Sequence, residues 1–190
     1  MIDRRAFTVL SAAGLAATLL PSPLQATEMS RANAFAFSFK GLDGGAILLA
    51  RQAGKPMLVV NTASRCGYTP QYAGLQELWT RYGQRGLFML GVPSNDFGGQ
   101  EPGGASEIMQ TAQTSYHVTF PLADKAAVKG PDAHPFYKWA ARARPLDVPK
   151  WNFHKYLIGR DGALKASFAS AVEPTDPRII SAIETELAPA

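Results

Sequence analysis

Apolar and polar positions along the chain follow two different periods. Short apolar runs at 57–61 and 87–92 predict two buried strands. Between them, apolar residues recur every three to four positions from 70 to about 85, which predicts a helix that Gly86 ends. A buried strand, a helix and a second buried strand form a β-α-β unit, and its two strands pair in parallel with a right-handed crossover.

The flanking patterns predict the remaining elements. Helical spacing predicts three further helices, at 105–115, 133–143 and 176–187. Alternation between apolar and polar residues predicts an extended segment at 118–122 and two hairpins, at 35–49 and 151–168. This order resembles that of an α/β thioredoxin-like sandwich. We therefore expect a central mixed sheet, flanking helices and an added N-terminal β-hairpin.

The first 26 residues differ in character from the rest of the chain. A short charged start with adjacent Arg4 and Arg5 is followed by an apolar run at 9–20 and by small residues near Ala26. This layout predicts an export signal, and the paired arginines favour the twin-arginine type. The run is shorter than the ~20 residues that span a membrane. We expect residues 1–26 to direct export, to the periplasm in a bacterium, and residues 27–190 to form one domain without membrane insertion after processing. An ordinary secretory signal and an uncleaved anchor are the alternatives, and the cleavage point stays open.

Composition and charge exclude several classes of protein. The chain has 190 residues, a 46% apolar content and a net charge of +4. The basic residues are scattered, so we expect no nucleic-acid partner. A single cysteine rules out an intrachain disulfide and any metal site built from several thiolates. The three histidines, His117, His134 and His154, show no ligand spacing, and we expect no metal or bound cofactor.

The single cysteine, Cys66, lies between the first buried strand and the helix that follows it. Backbone N–H groups at a helix start, together with the neighbouring Arg65, stabilise a thiolate, which is the nucleophilic form of cysteine. The Gly/Pro-containing loop at 93–104 follows the second buried strand and therefore lies at the same edge of the sheet. The alternative is a buried, unreactive thiol.

Three motifs carry a resemblance to a known family. Residues 59–69 read VVNTASRCGYT, residues 93–103 read PSNDFGGQEPG and residues 150–153 read KWNF. In this order, and over about 34–186, they resemble the signatures of the glutathione peroxidase family. The resemblance implies a thiol peroxidase that reduces hydrogen peroxide and organic or lipid hydroperoxides. It also implies that Cys66, Gln100, Trp151 and Asn152 meet as a catalytic tetrad.

The chemistry of these four side chains agrees with those roles. A thiolate attacks one peroxide oxygen, the other oxygen leaves, and the thiol becomes a sulfenic acid. Gln100, Trp151 and Asn152 supply neutral hydrogen-bond donors that stabilise the developing charge. Taken singly, each of the three also fits a structural role, as a solvated loop amide, a core indole and a local backbone partner. We expect Gly98 and its neighbouring glycines to shape the loop that carries Gln100.

The chain departs from many cysteine-type relatives in one respect. Ser94 and Ala112 stand where relatives often carry a second cysteine. The sulfenic acid at Cys66 therefore requires an external thiol, either glutathione, another small thiol or a thiol protein. The short segment between Ala143 and Trp151 favours a monomer, since tetrameric relatives carry an insertion there. A non-enzymatic thiol sensor or relay on the same fold is the alternative function, and the physiological reductant and the preferred peroxide stay open.

Overall fold

The computed structural model describes residues 33–188, so the export signal predicted at 1–26 lies outside the described residues. The predicted N-terminal hairpin is present as β1 (Ser38–Lys40) and β2 (Ala46–Leu48), an antiparallel two-stranded sheet. It is shorter than predicted because residues Ala34–Ala36 form a 3₁₀ turn. Asn33 Oδ1 accepts a hydrogen bond from the backbone N of Phe35 at 3.1 Å and stabilises this turn.

Four strands form the central mixed sheet. They are β3 (Met57–Thr62), β4 (Phe88–Pro93), β5 (Lys155–Ile158) and β6 (Leu164–Phe168). Their order is β4-β3-β5-β6, with β3 and β4 parallel and the other two pairings antiparallel. The predicted β-α-β unit is thus confirmed, and the second predicted hairpin supplies β5 and β6.

Helices cover both faces of this sheet. They are α1 (Gln71–Tyr82), α2 (Ala105–Met109), α3 (Pro135–Ala143) and α4 (Pro177–Leu187). Leu58 and Val60 of β3 pack in one core cluster with α1 and α4, whereas Met57 and Val59 pack in a second cluster with α3 and the N-terminal hairpin. Successive side chains of a strand point to opposite faces, so β3, buried along its whole length, builds both cores.

The strand prediction at 151–158 is wrong in its first part. Residues 151–153 form a turn, and β5 begins only at Lys155. Phe153 has a φ of +63°, a left-handed conformation that lies outside the β region. The helix predicted at 105–115 is α-helical only to Met109 and continues as a π-helical turn, Gln110–Ser115. The extended segment near Leu122 forms isolated bridges with Gly41 and Gly91 rather than a strand.

The parallel pairing of β3 and β4 positions the loops that the sequence singled out. Thr62 and Pro93 are paired at the carboxyl ends of the two strands. The Cys66 turn therefore leaves the sheet beside the loop that carries Gln100. No helix within residues 33–188 is long and apolar enough to cross a membrane.

Candidate active site

Cys66 lies in a tight turn between β3 and α1. The backbone N of Cys66 donates to Thr69 Oγ1 at 3.0 Å, and that hydroxyl donates to the carbonyl of Ala63 at 2.9 Å. The backbone N of Tyr68 donates to the Cys66 Sγ at 3.4 Å. The amide that reaches the sulfur comes from this turn and not from the first turn of α1, which begins five residues further on at Gln71. Cys66 is 7% exposed, so almost all of the residue is buried below the surface.

The Gln100 loop is attached directly to this turn. The backbone N of Arg65 donates to the carbonyl of Gln100 at 3.0 Å. Gly98 has a φ of +65°, which a glycine adopts without strain, and is close in space to Gln100 and Trp151. A Cβ atom added to Gly98 would lie 3.5 Å from both Gln100 Cγ and Trp151 Cη2. The side chains of Gln100 and Trp151 thus flank one glycine of the loop.

A direct hydrogen bond connects Gln100 with Asn152. Asn152 Nδ2 donates to Gln100 Oε1 at 3.0 Å, and Asn152 is fully buried. Because the Gln100 oxygen is occupied by this bond, its Nε2 end is the donor that Gln100 can offer to another molecule. Trp151 is 39% exposed, and its ring lies 5.9 Å from that of Phe97. The indole is therefore supported on one side and open to solvent on the other.

Asn61 of β3 holds the turn that carries Trp151 and Asn152. Its Nδ2 donates to the carbonyl of Trp151, and its Oδ1 accepts from the backbone N of His154, both at 3.1 Å. Its backbone carbonyl also accepts from the N of Phe153 at 2.6 Å. These bonds fix the left-handed residue Phe153 and explain why the chain turns here before β5 begins.

The structure brings three of the four predicted site residues into contact. Gln100 is bonded to Asn152, and Trp151 lies next to Asn152 in the chain and beside Gly98. Cys66 is connected to them through the backbone, by the bond from Arg65 to Gln100. Among residues 33–188, no hydrogen bond joins the Cys66 sulfur to the side chain of Gln100, Trp151 or Asn152, and its hydrogen bond is the one from Tyr68.

The comparisons with known proteins decide the family. The glutathione peroxidase family model matches residues 34–141, more than half of the chain. The chain belongs to the glutathione peroxidase family. It is 44% identical over 159 residues to a hydroperoxy fatty acid reductase from Synechocystis sp., a match that covers 79% of this chain and 94% of that protein. It is therefore a peroxidase.

Solved structures confirm the fold prediction. The crystal structure of Trgpx in apo form matches with a TM-score of 0.67 and 35% identity, and covers 82% of this chain and 96% of that one. A thiol:disulfide interchange protein of the thioredoxin family from Chlorobium tepidum matches with a TM-score of 0.60 and 16% identity, covering 80% and 93%. The second likeness concerns the fold alone, and together they establish a thioredoxin-like α/β fold.

Two histidines, His134 and His154, play structural parts in this glutathione peroxidase. His134 caps α3, since its Nδ1 accepts from the backbone N of Phe136 at 3.2 Å and its Nε2 lies 3.0 Å from the carbonyl of Ser38. His154 is paired with Ser167 Oγ at 3.0 Å, and burial lowers its pKa from 6.5 to about 4, helped by the neighbouring Lys155. Burial also lowers the pKa of the His134 ring, so both rings are neutral at pH 7. No group of three or more potential metal ligands occurs within the described residues.

The positions where relatives often carry a second cysteine are both inside the protein. Ser94 and Ala112 are fully buried, and Ala112 belongs to the same core cluster as Cys66. Within the described chain, Cys66 is the free cysteine. Neither position therefore offers Cys66 a second thiol within the chain.

The sequence analysis predicted no role for two residues of the site. Asn61 and Glu101 both stand within the recognised motifs, but neither was assigned a role. Their importance comes from burial and from hydrogen bonds to residues distant in the chain, such as Trp151 for Asn61 and Ser64 for Glu101. For Asn61 the sequence did contain a signal, because it is a polar residue at the end of the apolar run 57–61. A buried amide in a strand requires hydrogen-bond partners.

Proposed function

We propose that this glutathione peroxidase reduces hydrogen peroxide and organic hydroperoxides, including those of fatty acids, through Cys66. The hydrogen bond between Asn152 and Gln100 carries the proposal, because it joins the loop after β4 to the turn before β5 beside the Cys66 turn. The name of the Synechocystis relative supports fatty acid hydroperoxides as substrates.

The proposed first half-reaction consumes one peroxide. The Cys66 thiolate attacks the terminal oxygen of the hydroperoxide, the O–O bond breaks, and the thiolate becomes a sulfenic acid. The leaving alkoxide takes a proton and departs as an alcohol, or as water from hydrogen peroxide. The Nε2 end of Gln100, the Trp151 indole N–H and the amide of Asn152 donate to the oxygen that accumulates charge.

The proposed second half-reaction requires two external thiols. The first thiol condenses with the sulfenic acid, which gives a mixed disulfide at Cys66 and one water molecule. The second thiol, as its thiolate, attacks the sulfur of the first, which releases a disulfide product and restores the Cys66 thiolate. No bound cofactor enters the cycle. Glutathione is one candidate reductant, and a thiol protein such as thioredoxin is the other.

Peroxide consumption in the presence of each thiol tests this function. The protein is mixed with hydrogen peroxide or a fatty acid hydroperoxide, with glutathione or reduced thioredoxin, and peroxide loss is followed over many equivalents. We expect repeated turnover that Cys66→Ser abolishes. Met109→Leu is the matched control, because it removes an exposed sulfur that peroxide also oxidises and should leave turnover unchanged.

The same measurement distinguishes the alternative function. A thiol sensor or relay would consume one equivalent of peroxide per Cys66 and then stop with every small thiol and with thioredoxin. That result would contradict the proposed catalytic cycle. Trapping the mixed disulfide at Cys66 in the native compartment identifies the physiological reductant.

We further expect export and a monomeric state. The paired Arg4 and Arg5 precede an apolar run that is too short to span a membrane, which supports a twin-arginine signal. Replacing both residues by lysine should leave the full-length precursor in the cytoplasm, whereas the native signal should deliver the protein to the periplasm. Equal export of both proteins would contradict the twin-arginine route. Sedimentation of the mature protein checks the monomer.

A further inference from the structure

Glu101 is a carboxylic acid that the fold has buried directly beside the proposed site. It follows Gln100 in the chain and is 1% exposed. Burial raises its pKa, an effect that the hydrogen bond from Ser64 opposes. Its Oε1 has no hydrogen-bond partner among the described residues, so this side chain costs stability where it stands. A buried, incompletely satisfied acid calls for a role other than packing.

The contacts of Glu101 fix it from three directions. Its Oε2 accepts from Ser64 Oγ at 3.1 Å, and its backbone N donates to Asn95 Oδ1 at 2.9 Å. Lys125 Nζ donates to its backbone carbonyl at 3.1 Å and to that of Gly103 at 2.8 Å. The bonds with Asn95 and Lys125 hold the Glu101 backbone, and the bond from Ser64 directs its side chain towards the Cys66 turn.

Two hydrogen bonds together form what we call the loop bridge. The first runs from Ser64 Oγ to Glu101 Oε2, and the second from the backbone N of Arg65 to the carbonyl of Gln100 at 3.0 Å. Successive residues of the Cys66 turn are thus bonded to successive residues of the Gln100 loop. With only one of these bonds the loop can rotate relative to the Cys66 turn, whereas two adjacent bonds fix its orientation relative to that turn.

We propose that Glu101 is a positioning residue, which acts through the loop bridge to hold the Gln100 side chain beside Cys66, in the position from which Gln100 donates its hydrogen bond. This inference rests on the proposed function. Gln100 donates usefully only if its Nε2 end meets the oxygen that accumulates charge. A displacement of about 1 Å in such a group can cost on the order of a hundredfold in rate. Glu101 itself does not contact the reacting atoms.

Single-turnover oxidation of Cys66 tests the proposal without any reductant. The rate constant with hydrogen peroxide is compared with the rate constant for alkylation by iodoacetamide, which requires the thiolate but not the Gln100 donor. We expect Glu101→Ala to slow oxidation about tenfold or more while alkylation changes less than about threefold. Glu101→Gln retains a side-chain oxygen for Ser64 and should keep oxidation within about threefold of the native rate.

Two further variants make the test specific. Ser64→Ala removes the same hydrogen bond from a half-buried position and should slow oxidation several-fold even if Glu101→Ala fails to fold. The double variant should be no slower than Glu101→Ala alone, because both changes break one interaction. Glu107→Gln is the matched control. This exposed carboxylate lines one cavity of about 280 Å³ together with Ser64 and Glu101, and its replacement should leave the rate unchanged.

Three results would overturn the positioning role. They are a native oxidation rate in both Glu101→Ala and Ser64→Ala, equal losses in oxidation and alkylation, and independent, additive effects of the two substitutions. A native protein that oxidises no faster than free cysteine would instead contradict the proposed function itself. The two failures are therefore distinguishable.

Discussion

Replacement of Asn61 by alanine should loosen the turn that carries Trp151 and Asn152. The Asn61 side chain makes two hydrogen bonds of 3.1 Å, to the carbonyl of Trp151 and from the backbone N of His154. Alanine removes both and leaves those two backbone groups without partners. A buried polar group that loses its partner costs about 1–3 kcal/mol.

The expected loss of stability is about 3 kcal/mol, near the lower end of the sum for two groups. Trp151 is 39% exposed, so water reaches this turn and hydrates the Trp151 carbonyl after the change. The backbone bond from Phe153 to the Asn61 carbonyl does not depend on the side chain and persists. With a urea dependence of about 2 kcal/mol per molar for a domain of this size, the unfolding midpoint should fall by about 1.5 M.

Gln76→Ala is the matched control for this measurement. The Gln76 amide also makes hydrogen bonds, to Thr119 at 3.0 and 2.8 Å, but in an exposed place. Water replaces these bonds, so we expect a loss below about 1 kcal/mol. Equal midpoint shifts in Asn61→Ala and Gln76→Ala would refute the argument that Asn61 fixes the turn. Single-turnover oxidation should also fall about tenfold in Asn61→Ala, since Trp151 and Asn152 lose their support.

Three further predictions concern the donors, the loop and a histidine. Gln100→Ala and Trp151→Phe should each slow Cys66 oxidation about tenfold or more in stopped-flow measurements, as loss of one transition-state donor does, and native rates in both would exclude them from the mechanism. Gly98→Ala forces a Cβ onto a residue with a φ of +65° and should cost about 1 kcal/mol in urea unfolding, together with slower oxidation; an unchanged midpoint would show that the loop tolerates a side chain there. The pKa of His154 is lowered by burial from 6.5 to about 4, so the unfolded chain binds a proton that the folded protein excludes between these values. The unfolding free energy should therefore fall by up to about 3 kcal/mol as the pH drops from about 6.5 to 4, and His154→Gln should remove most of this slope, with a smaller part left to His134, whose pKa burial also lowers. If His154→Gln leaves the pH dependence of the unfolding free energy unchanged, another group is responsible for it.

Much of the architecture followed from periodicity in the sequence. The runs that became β3 and β4 and the spacing that became α1 are local properties, and local patterns report which residues face a core. The structure deviates from the sequence-based prediction where hydrogen bonds from a distant residue determine the backbone conformation. Residues 151–153 alternate like a strand, but Asn61, some ninety positions earlier, bonds to this segment and holds Phe153 at a φ of +63°.

The family and the peroxidase activity were determined by the sequence alone, because three separated motifs in one order are specific without any coordinates. Cys66 was selected in the same way, as the single thiol between a buried strand and a helix. The tertiary structure decided how the motifs meet. It placed the amide of Asn152 on Gln100 and the hydroxyl of Ser64 on Glu101, at 3.0 and 3.1 Å. Burial and long-range hydrogen bonds depend on which chain segments become neighbours, and no local pattern encodes that choice.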